Sequence, residues 1–207
     1  MLAKEARSRW QVEQLRLVEK KLYDAAKSFK LGPMPESPFG LTELGMADYR
    51  GATLAEPLRH LKVSNVDLSD VLFKEGASIN ESELEACRLD RIDMRNVFVR
   101  RSFSDCSFVK AKLSGARMGG EFVRCDFTGS NLSKSFATDC KFTACNFTGA
   151  TLSGVHFISC TFEDCDFSDV KLFTGSVAGS KFLGGTSIDQ LAGCITDSAV
   201  IRRGIRL

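Results

Sequence analysis

The sequence predicts an all-β solenoid, in which the chain winds through stacked square coils instead of forming a flat sheet or a helical bundle. Three observations predict this fold: large apolar residues recur every five positions, their identity recurs every twenty, and the composition favours one aromatic type. Phenylalanine occurs 16 times in 207 residues, against two tyrosines and one tryptophan. Such a bias indicates one structural position that is used many times, which is typical of a repeat architecture.

The five-residue repeat runs from about Val66 to Gly184. Each unit contains a small residue, a polar residue, a phenylalanine or leucine, and then two polar or small residues. From Phe122 to Phe182 the large residue falls on every fifth position. A period of five matches neither the 3.6-residue period of a helix nor the two-residue period of a strand. It fits a chain that turns a corner every five residues, so that four units close one square coil.

A period of twenty follows if large residues in successive coils lie above one another. Two four-residue units, Val99 to Phe103 and Met118 to Phe122, bring the large residues into four columns. The first holds Leu68, Leu89, Phe108, Phe127, Phe147 and Phe167, and the fourth holds Leu84, Phe103, Phe122, Phe142, Phe162 and Phe182. The second holds Phe73, Met94, Leu113, Leu132, Leu152 and Leu172, and the third holds Ile79, Val99, Met118, Ala137, Phe157 and Val177. We expect about six coils, stacked roughly 4.8 Å apart around a solid interior.

The repeat resembles that of the pentapeptide-repeat family, in which a small residue, Asp or Asn, and Leu or Phe are followed by two variable positions. The segments 125–129, 145–149 and 165–169 match this pattern. The resemblance implies a right-handed quadrilateral β-helix over residues 64–184. It also implies that C-terminal pairing of two subunits can occur, and that some members mimic DNA and act on type II topoisomerases such as DNA gyrase.

The segments outside the repeats are expected to cover its ends. Residues 1–31 predict an amphipathic helix, which could cap the solenoid, pack along its side or bind a partner. Its apolar residues follow a three-four spacing: Leu15, Val18, Leu22, Ala25 and Phe29. Residues 32–63 predict a proline-rich linker and an irregular segment with two early units. Residues 185–207 predict a C-terminal cap, including a short helix from Ser187 to Ala192, or a surface for forming a homodimer.

The eight cysteines are expected to be core residues and not metal ligands. Seven of them occupy the small inward position of the repeat, which elsewhere holds alanine, serine or valine. The spacing of Cys140, Cys145, Cys160 and Cys165 resembles two halves of a zinc site only superficially, and inward thiols of stacked coils have poor geometry for disulfides. We therefore expect no metal and no disulfide.

No catalytic constellation is visible, and no cofactor is expected. The two histidines, His60 and His156, are far apart in the pattern, and no glycine-rich phosphate loop or nucleophile elbow occurs. A solenoid filled by its own side chains has no internal pocket, so the chain is predicted not to be an enzyme. It contains no run of about 18 apolar residues and no signal-peptide core, which predicts a cytoplasmic protein without a membrane span.

Two surfaces are candidates for binding a partner protein. The outward positions of the third column combine apolar and cationic residues, as interaction hot spots do. They are Phe98, Arg100, Arg117, Phe136, His156 and Ile158. A local slip that turns Phe98 and Phe136 inward and exposes Val99 or Ala137 is the alternative. The second candidate is an acidic cluster that could plug a basic cleft: Glu163, Asp164, Asp166 and Asp169.

These surfaces favour a protein-binding scaffold, for example an inhibitor or an immunity-type protein that occludes a partner enzyme or toxin. The alternative implied by the resemblance is a DNA mimic that protects or inhibits a type II topoisomerase. The coils from residue 64 to 184 contain 16 acidic and 14 basic residues, a net charge of −2, which is a poor match to a duplex. Direct nucleic-acid binding is disfavoured too, because no element that enters a groove accompanies the arginines near Arg91.

Overall fold

The chain forms the right-handed quadrilateral β-helix that the repeat predicts, as a computed structural model covering residues 3–74, 76–185 and 193–203 shows. It has about seven coils, and every pairing between successive coils is parallel. The strands in chain order are β1 (Gly32–Pro33), β2 (Ala47–Asp48), β3 (Thr53–Leu54), β4 (Leu58–Arg59), β5 (Leu61–Ser64), β6 (Val66–Asp67), β7 (Leu72–Phe73), β8 (Ile79–Glu85), β9 (Phe98–Ser104), β10 (Arg117–Val123), β11 (Phe136–Thr138), β12 (Lys141–Thr143), β13 (Val155–Ile158), β14 (Thr161–Glu163), β15 (Thr174–Ser176), β16 (Lys181–Gly184), β17 (Gly193–Ile195) and β18 (Val200–Arg203).

The Phe columns stack as the period of twenty predicts. Pairing sets Phe103, Phe122, Phe142, Phe162 and Phe182 directly above one another. Adjacent rings in this column have centroids 4.9 Å apart and interplanar angles of at most 12°. The first column stacks in the same way, and rings of the two columns meet edge to face. Each buried ring stabilises the fold by about 1.5–3 kcal/mol, so the two columns form the main part of the core.

An additional coil precedes the six that the repeat predicts. Strands β2 to β5 pair in register with β6, β7 and β8, so that Tyr49, Leu54, Leu58 and Val63 extend the four columns by one residue each. All four side chains are buried. Pro57 does not interrupt the coil, because it lies at the corner before β4, where its fixed φ is tolerated.

Leu172 does not lie in the second column, and this part of the sequence prediction is wrong. Its side chain is 68% exposed, while Phe173 is only 6% exposed and stacks on Phe167 with centroids 5.6 Å apart. Leu172 takes a left-handed φ of 52°, which delays the inward position by one residue and buries the larger side chain. Gly175, with φ 117°, restores the register, since a Cβ there would lie 2.0 Å from the carbonyl oxygen of Val155.

Two helices, not one, precede the coils. Helix α1 (Ala3–Ser8) and helix α2 (Val12–Lys27) are separated at Trp10, whose indole N–H donates to the carbonyl of Arg50 at 2.9 Å. Val18 and Leu22 of α2 are buried against the first coil near β3 and β4, so the helix caps this end of the solenoid. Phe29, expected on the apolar face, lies beyond the end of α2 and is exposed.

A buried carboxylate fixes the break between the helices to the first coil. Asp48 accepts two hydrogen bonds from Arg9, at 2.5 and 2.7 Å, and three from Arg50, at 2.8, 3.0 and 3.1 Å. Burial alone would raise the pKa of Asp48, but the hydrogen bonds and charges of the two arginines outweigh it and hold that pKa well below 3.8. The ionised carboxylate therefore links the helical cap to the solenoid.

The far end of the solenoid begins an eighth coil. Strand β17 pairs with β15, and β18 pairs with β16. The short helix predicted from Ser187 to Ala192 lies outside the described residues, and the homodimer surface stays a prediction. Within the described ranges, no helix is both long and apolar enough to cross a membrane.

The slip at Leu172 predicts that truncating two adjacent side chains changes the free energy of unfolding by very different amounts. Phe173→Ala should lower the free energy of unfolding by about 3–5 kcal/mol because it empties a buried position. Leu172→Ala should change it by less than about 0.5 kcal/mol, because that side chain lies in solvent. Urea denaturation followed by circular dichroism measures both, and equal losses for the two variants would contradict the slip.

The Asp48 pair predicts loss of stability in acid. Since the folded-state pKa lies below the ordinary value, the ionised form stabilises the protein above about pH 4, and that contribution is lost as the pH falls toward the lowered pKa. Urea denaturation followed by the fluorescence of Trp10, which is the single tryptophan and lies in the cap, should show this decline between pH 5 and pH 2. Asp48→Asn should be less stable at pH 7 and depend less steeply on pH; an unchanged slope would contradict the assignment.

Candidate protein-binding surface

Many small inward positions of the described coils are filled by thiols that donate hydrogen bonds to the backbone. Cys125 and Cys145 donate to carbonyl oxygens of the preceding coil, at 3.4 and 3.3 Å. A hydrogen bond with Cys145, together with burial, raises the pKa of the Cys165 thiol far above its usual range, so it stays protonated. In the part of the chain that the structure describes, no three His, Cys, Asp or Glu side chains are placed to share a metal ion.

Outward residues of the third column form one continuous surface, here called the third face, on strands β9, β10, β11 and β13. Backbone pairing places Phe98, Arg117, Phe136 and His156 in one ladder across four coils. Arg100 and Ile158 belong to a second ladder of the same face, on the other side of the buried column. All six side chains expected on this face are therefore brought together.

Phe98 and Phe136 point outward. Their side chains are 36% and 46% exposed, whereas the neighbouring Val99 and Ala137 are completely buried. The alternative in which a local slip turns the two rings inward is therefore wrong. The small Ala137 fits the column because Phe157, the next residue along it, supplies the bulk.

The exposed side chains of the third face contact one another in a fixed arrangement. The Phe136 and His156 rings are stacked, with centroids 4.9 Å apart and an interplanar angle of 7°. The guanidinium carbons of Arg100 and Arg117 lie 4.7 and 5.4 Å from the centroid of the Phe98 ring. These stacking and cation–π contacts order the surface before any partner is present.

A groove of about 590 Å³ opens beside the third face, where two glycines remove the side chains of one coil. Gly119 and Gly120 pair with Arg100 and Arg101, inside the four-residue unit that ends at Phe122. Gly120 has φ 92°, and a Cβ there would lie 2.1 Å from the Arg101 carbonyl oxygen. We call this feature the glycine notch. The sequence signal for it is the adjacent pair of glycines in a shortened unit.

Most arginines of the solenoid are paired with a carboxylate, but those of the third face are not. Five of the seven arginines between residues 64 and 184 are paired with a nearby carboxylate. They are Arg88 with Asp90, Arg91 with Asp70, Arg95 with Asp93, Arg101 with Glu83, and Arg124 with Asp105. Among the described residues, Arg100 and Arg117 have no carboxylate partner.

The acidic residues lie on a separate surface. Glu163 is on the fourth face, which is the outer side of the fourth column, and lies 3.8 Å from the ammonium group of Lys141. Asp166 is on the first face, the outer side of the first column, and Asp164 is at the corner between these two faces. The Ser168 hydroxyl and backbone N–H hold the pKa of Asp166 below its usual value. Asp169 lies one corner further along. The two candidate surfaces are therefore not one site, and the acidic side chains are partly engaged.

The comparison with known sequences and structures points to the same repeat. A sequence model described as pentapeptide repeats matches residues 121–157 and 138–172, with eight copies of the repeat. No curated protein matches the sequence. A trypsin-treated variant of QnrB1, a plasmid-mediated fluoroquinolone resistance protein, is 15% identical over 76% of this chain and 80% of its own, with a TM-score of 0.41.

HetL, a pentapeptide-repeat protein involved in heterocyst differentiation regulation in Nostoc sp. strain PCC 7120, is 12% identical. It covers 87% of this chain and 90% of its own, with a TM-score of 0.28. The matched repeats extend over residues 121–172, and the square coils continue on both sides of this segment. This part of the chain therefore consists of pentapeptide repeats.

Proposed function

We propose that this chain is a non-enzymatic scaffold that binds another protein through its third face and thereby occludes a partner enzyme or toxin. The observation that carries this proposal is the ladder of exposed rings and guanidinium groups, ordered by their contacts with one another. Aromatic residues and arginine are the types most enriched at the energetic centres of protein interfaces.

Rigidity of the third face supports a binding role. Its side chains stand on parallel strands whose inner positions are completely buried, so little conformational freedom remains to be lost on association. An exposed aromatic ladder would otherwise be an unfavourable feature of a surface, since it invites aggregation. A partner that covers Phe98 and Phe136 accounts for their exposure.

The placement of the reactive side chains favours binding over catalysis. His156 is stacked on Phe136, and His60 bonds to the backbone oxygen of Ala26 at 3.0 Å, so the two histidines do not form a catalytic group with each other. The buried thiols are closed off by the coils. A surface without a nucleophile beside a base is suited to occlusion and not to turnover.

The acidic cluster adds a second contact to this proposal. Glu163, Asp164, Asp166 and Asp169 lie around corners of one coil, and a partner nuclease or other enzyme with a basic cleft would be complementary to them. Partial neutralisation by Lys141 makes this contact weaker than the third face. An immunity-type inhibitor could use both surfaces against a large partner.

The internal charge pairing argues against the alternative of a DNA mimic. A duplex carries one negative charge per about 1.7 Å of its axis. Here arginines and aspartates alternate between neighbouring coils, as in the pairs Arg91 with Asp70 and Arg124 with Asp105. The outer faces therefore carry little net charge, whereas an exposed ring ladder has no counterpart on a duplex surface.

The proposal predicts that one ring of the third face controls partner capture. Immobilised wild-type protein should capture a partner from a lysate of its source cells, and Phe136→Asp should reduce that capture about 30-fold or more, as expected for a hot-spot loss of about 2 kcal/mol. Mass spectrometry with labelled samples measures the ratio.

Lys181→Glu, an exposed charge reversal on the fourth face, serves as the matched control and should leave capture unchanged. Circular dichroism checks that both variants keep the coils. Unchanged capture by the Phe136→Asp variant would contradict the third-face proposal. Capture of a type II topoisomerase would instead support the alternative function, action on a topoisomerase.

A further inference from the structure

Two like charges meet on one ring of the third face without a carboxylate to balance them. Arg100 and Arg117 come from successive coils, and both guanidinium groups lie over Phe98, at 4.7 and 5.4 Å from its centroid. The other five arginines of the coils are each paired with an acidic residue. Repulsion between the two cations is thus left uncompensated within the described part of the molecule.

Arg100 and Arg117 both line the groove at the glycine notch. The aliphatic stem of Arg100 runs across Gly119, where a Cβ would lie 3.2 Å from Cγ of Arg100. A Cβ at Gly119 would be closer than an ordinary van der Waals contact, so the Arg100 stem would have to shift by a few tenths of an ångström. The glycine notch therefore has two roles, since it opens the groove and it lets Arg100 lie flat along its wall.

We propose that the Arg100–Arg117 pair and the glycine notch bind a carboxylate side chain, flanked by an apolar residue, from the partner protein. This inference rests on the proposed function and names the chemistry of the partner. Guanidinium groups bind carboxylates through paired, charge-assisted hydrogen bonds, and the Phe98 ring beneath them shields the contact from water. The exposed ring of Phe136, which also lines the groove, would contact the apolar neighbour.

The acidic residues of the groove do not cancel this preference. Glu81 lies 4.0 Å from Arg101 and is directed to that cation. Asp139 also lines the groove, in the coil that follows the two glycines. Its charge would repel a carboxylate ligand, which therefore belongs beside Arg100 and Arg117.

The test uses the full chain, labelled with ¹⁵N-arginine, and a small peptide probe. The probe is the blocked tripeptide glutamate–phenylalanine–glutamate, and its matched control is glutamine–phenylalanine–glutamine. The side-chain Nε–H resonances of Arg100 and Arg117 should shift with the acidic probe only, and the Arg124 resonance should not. Arg100→Gln and Arg117→Gln should each weaken the apparent Kd at least tenfold, while Arg124→Gln should leave it unchanged.

Gly119→Ala tests whether the position of the arginine pair matters or only its positive charge, since it shifts the Arg100 stem without changing any charge. Binding of the acidic probe should become at least threefold weaker. The inference is overturned if Arg124 shifts as strongly as Arg100, if both probes bind equally, or if Gly119→Ala has no effect. Failure of this inference can be distinguished from failure of the proposed function. If Phe136→Asp abolishes partner capture but the acidic probe does not bind, only the carboxylate site is rejected.

Discussion

The stacking of inward side chains from one coil onto the next is the constraint on which the rest of the structure depends. A large residue at every fifth position can fill a square coil only if its equivalent in the next coil lies directly above it. The Phe142 ring does so between Phe122 and Phe162, at 4.9 Å from each. Because the rings fill the interior of the described coils, the side chains that a partner can reach lie on the outer faces.

Departures from strict repetition generate the features that distinguish this molecule. The shortened unit at Gly119 opens the notch, and the delayed unit at Phe173 is restored by Gly175. Both irregular units contain a glycine with positive φ, Gly120 or Gly175, where a Cβ would lie 2.1 or 2.0 Å from a backbone carbonyl oxygen of the preceding coil. Local geometry therefore converts small irregularities in the repeat into surface shape.

The repeat made most of the fold predictable, because inward positions recur at a fixed spacing. The columns and the buried cysteines follow from that spacing. It left open whether Phe98 and Phe136 point outward, because each stands beside a smaller inward residue, Val99 or Ala137. The spacing rule failed at Leu172, since two large apolar residues stand side by side there and only packing decides which one is buried. It also missed the first coil, whose units are irregular in spacing, and the break at Trp10, which depends on hydrogen bonds to the distant Arg50.

Electrostatic arrangement was the least predictable part of the candidate site. Sequence placed a cluster of arginines in one coil, but it could not show which of them a carboxylate neutralises, since partners such as Arg91 and Asp70 are 21 residues apart. Among the described arginines of the coils, this pairing leaves Arg100 and Arg117 without a carboxylate partner and gives the third face its character. The binding properties of the third face thus depend on the arginines that no carboxylate of the described residues neutralises.

A double-mutant cycle on Phe127 and Phe147, which are stacked at 4.9 Å, tests ring-on-ring packing most directly. The free energies of unfolding of the two Phe→Leu variants and of the double variant should give a coupling energy of about 0.5–1.5 kcal/mol. The same cycle on Phe127 and Phe167, which are two coils apart, should give less than about 0.5 kcal/mol. Equal coupling in the two cycles, or none in the first, would contradict the account.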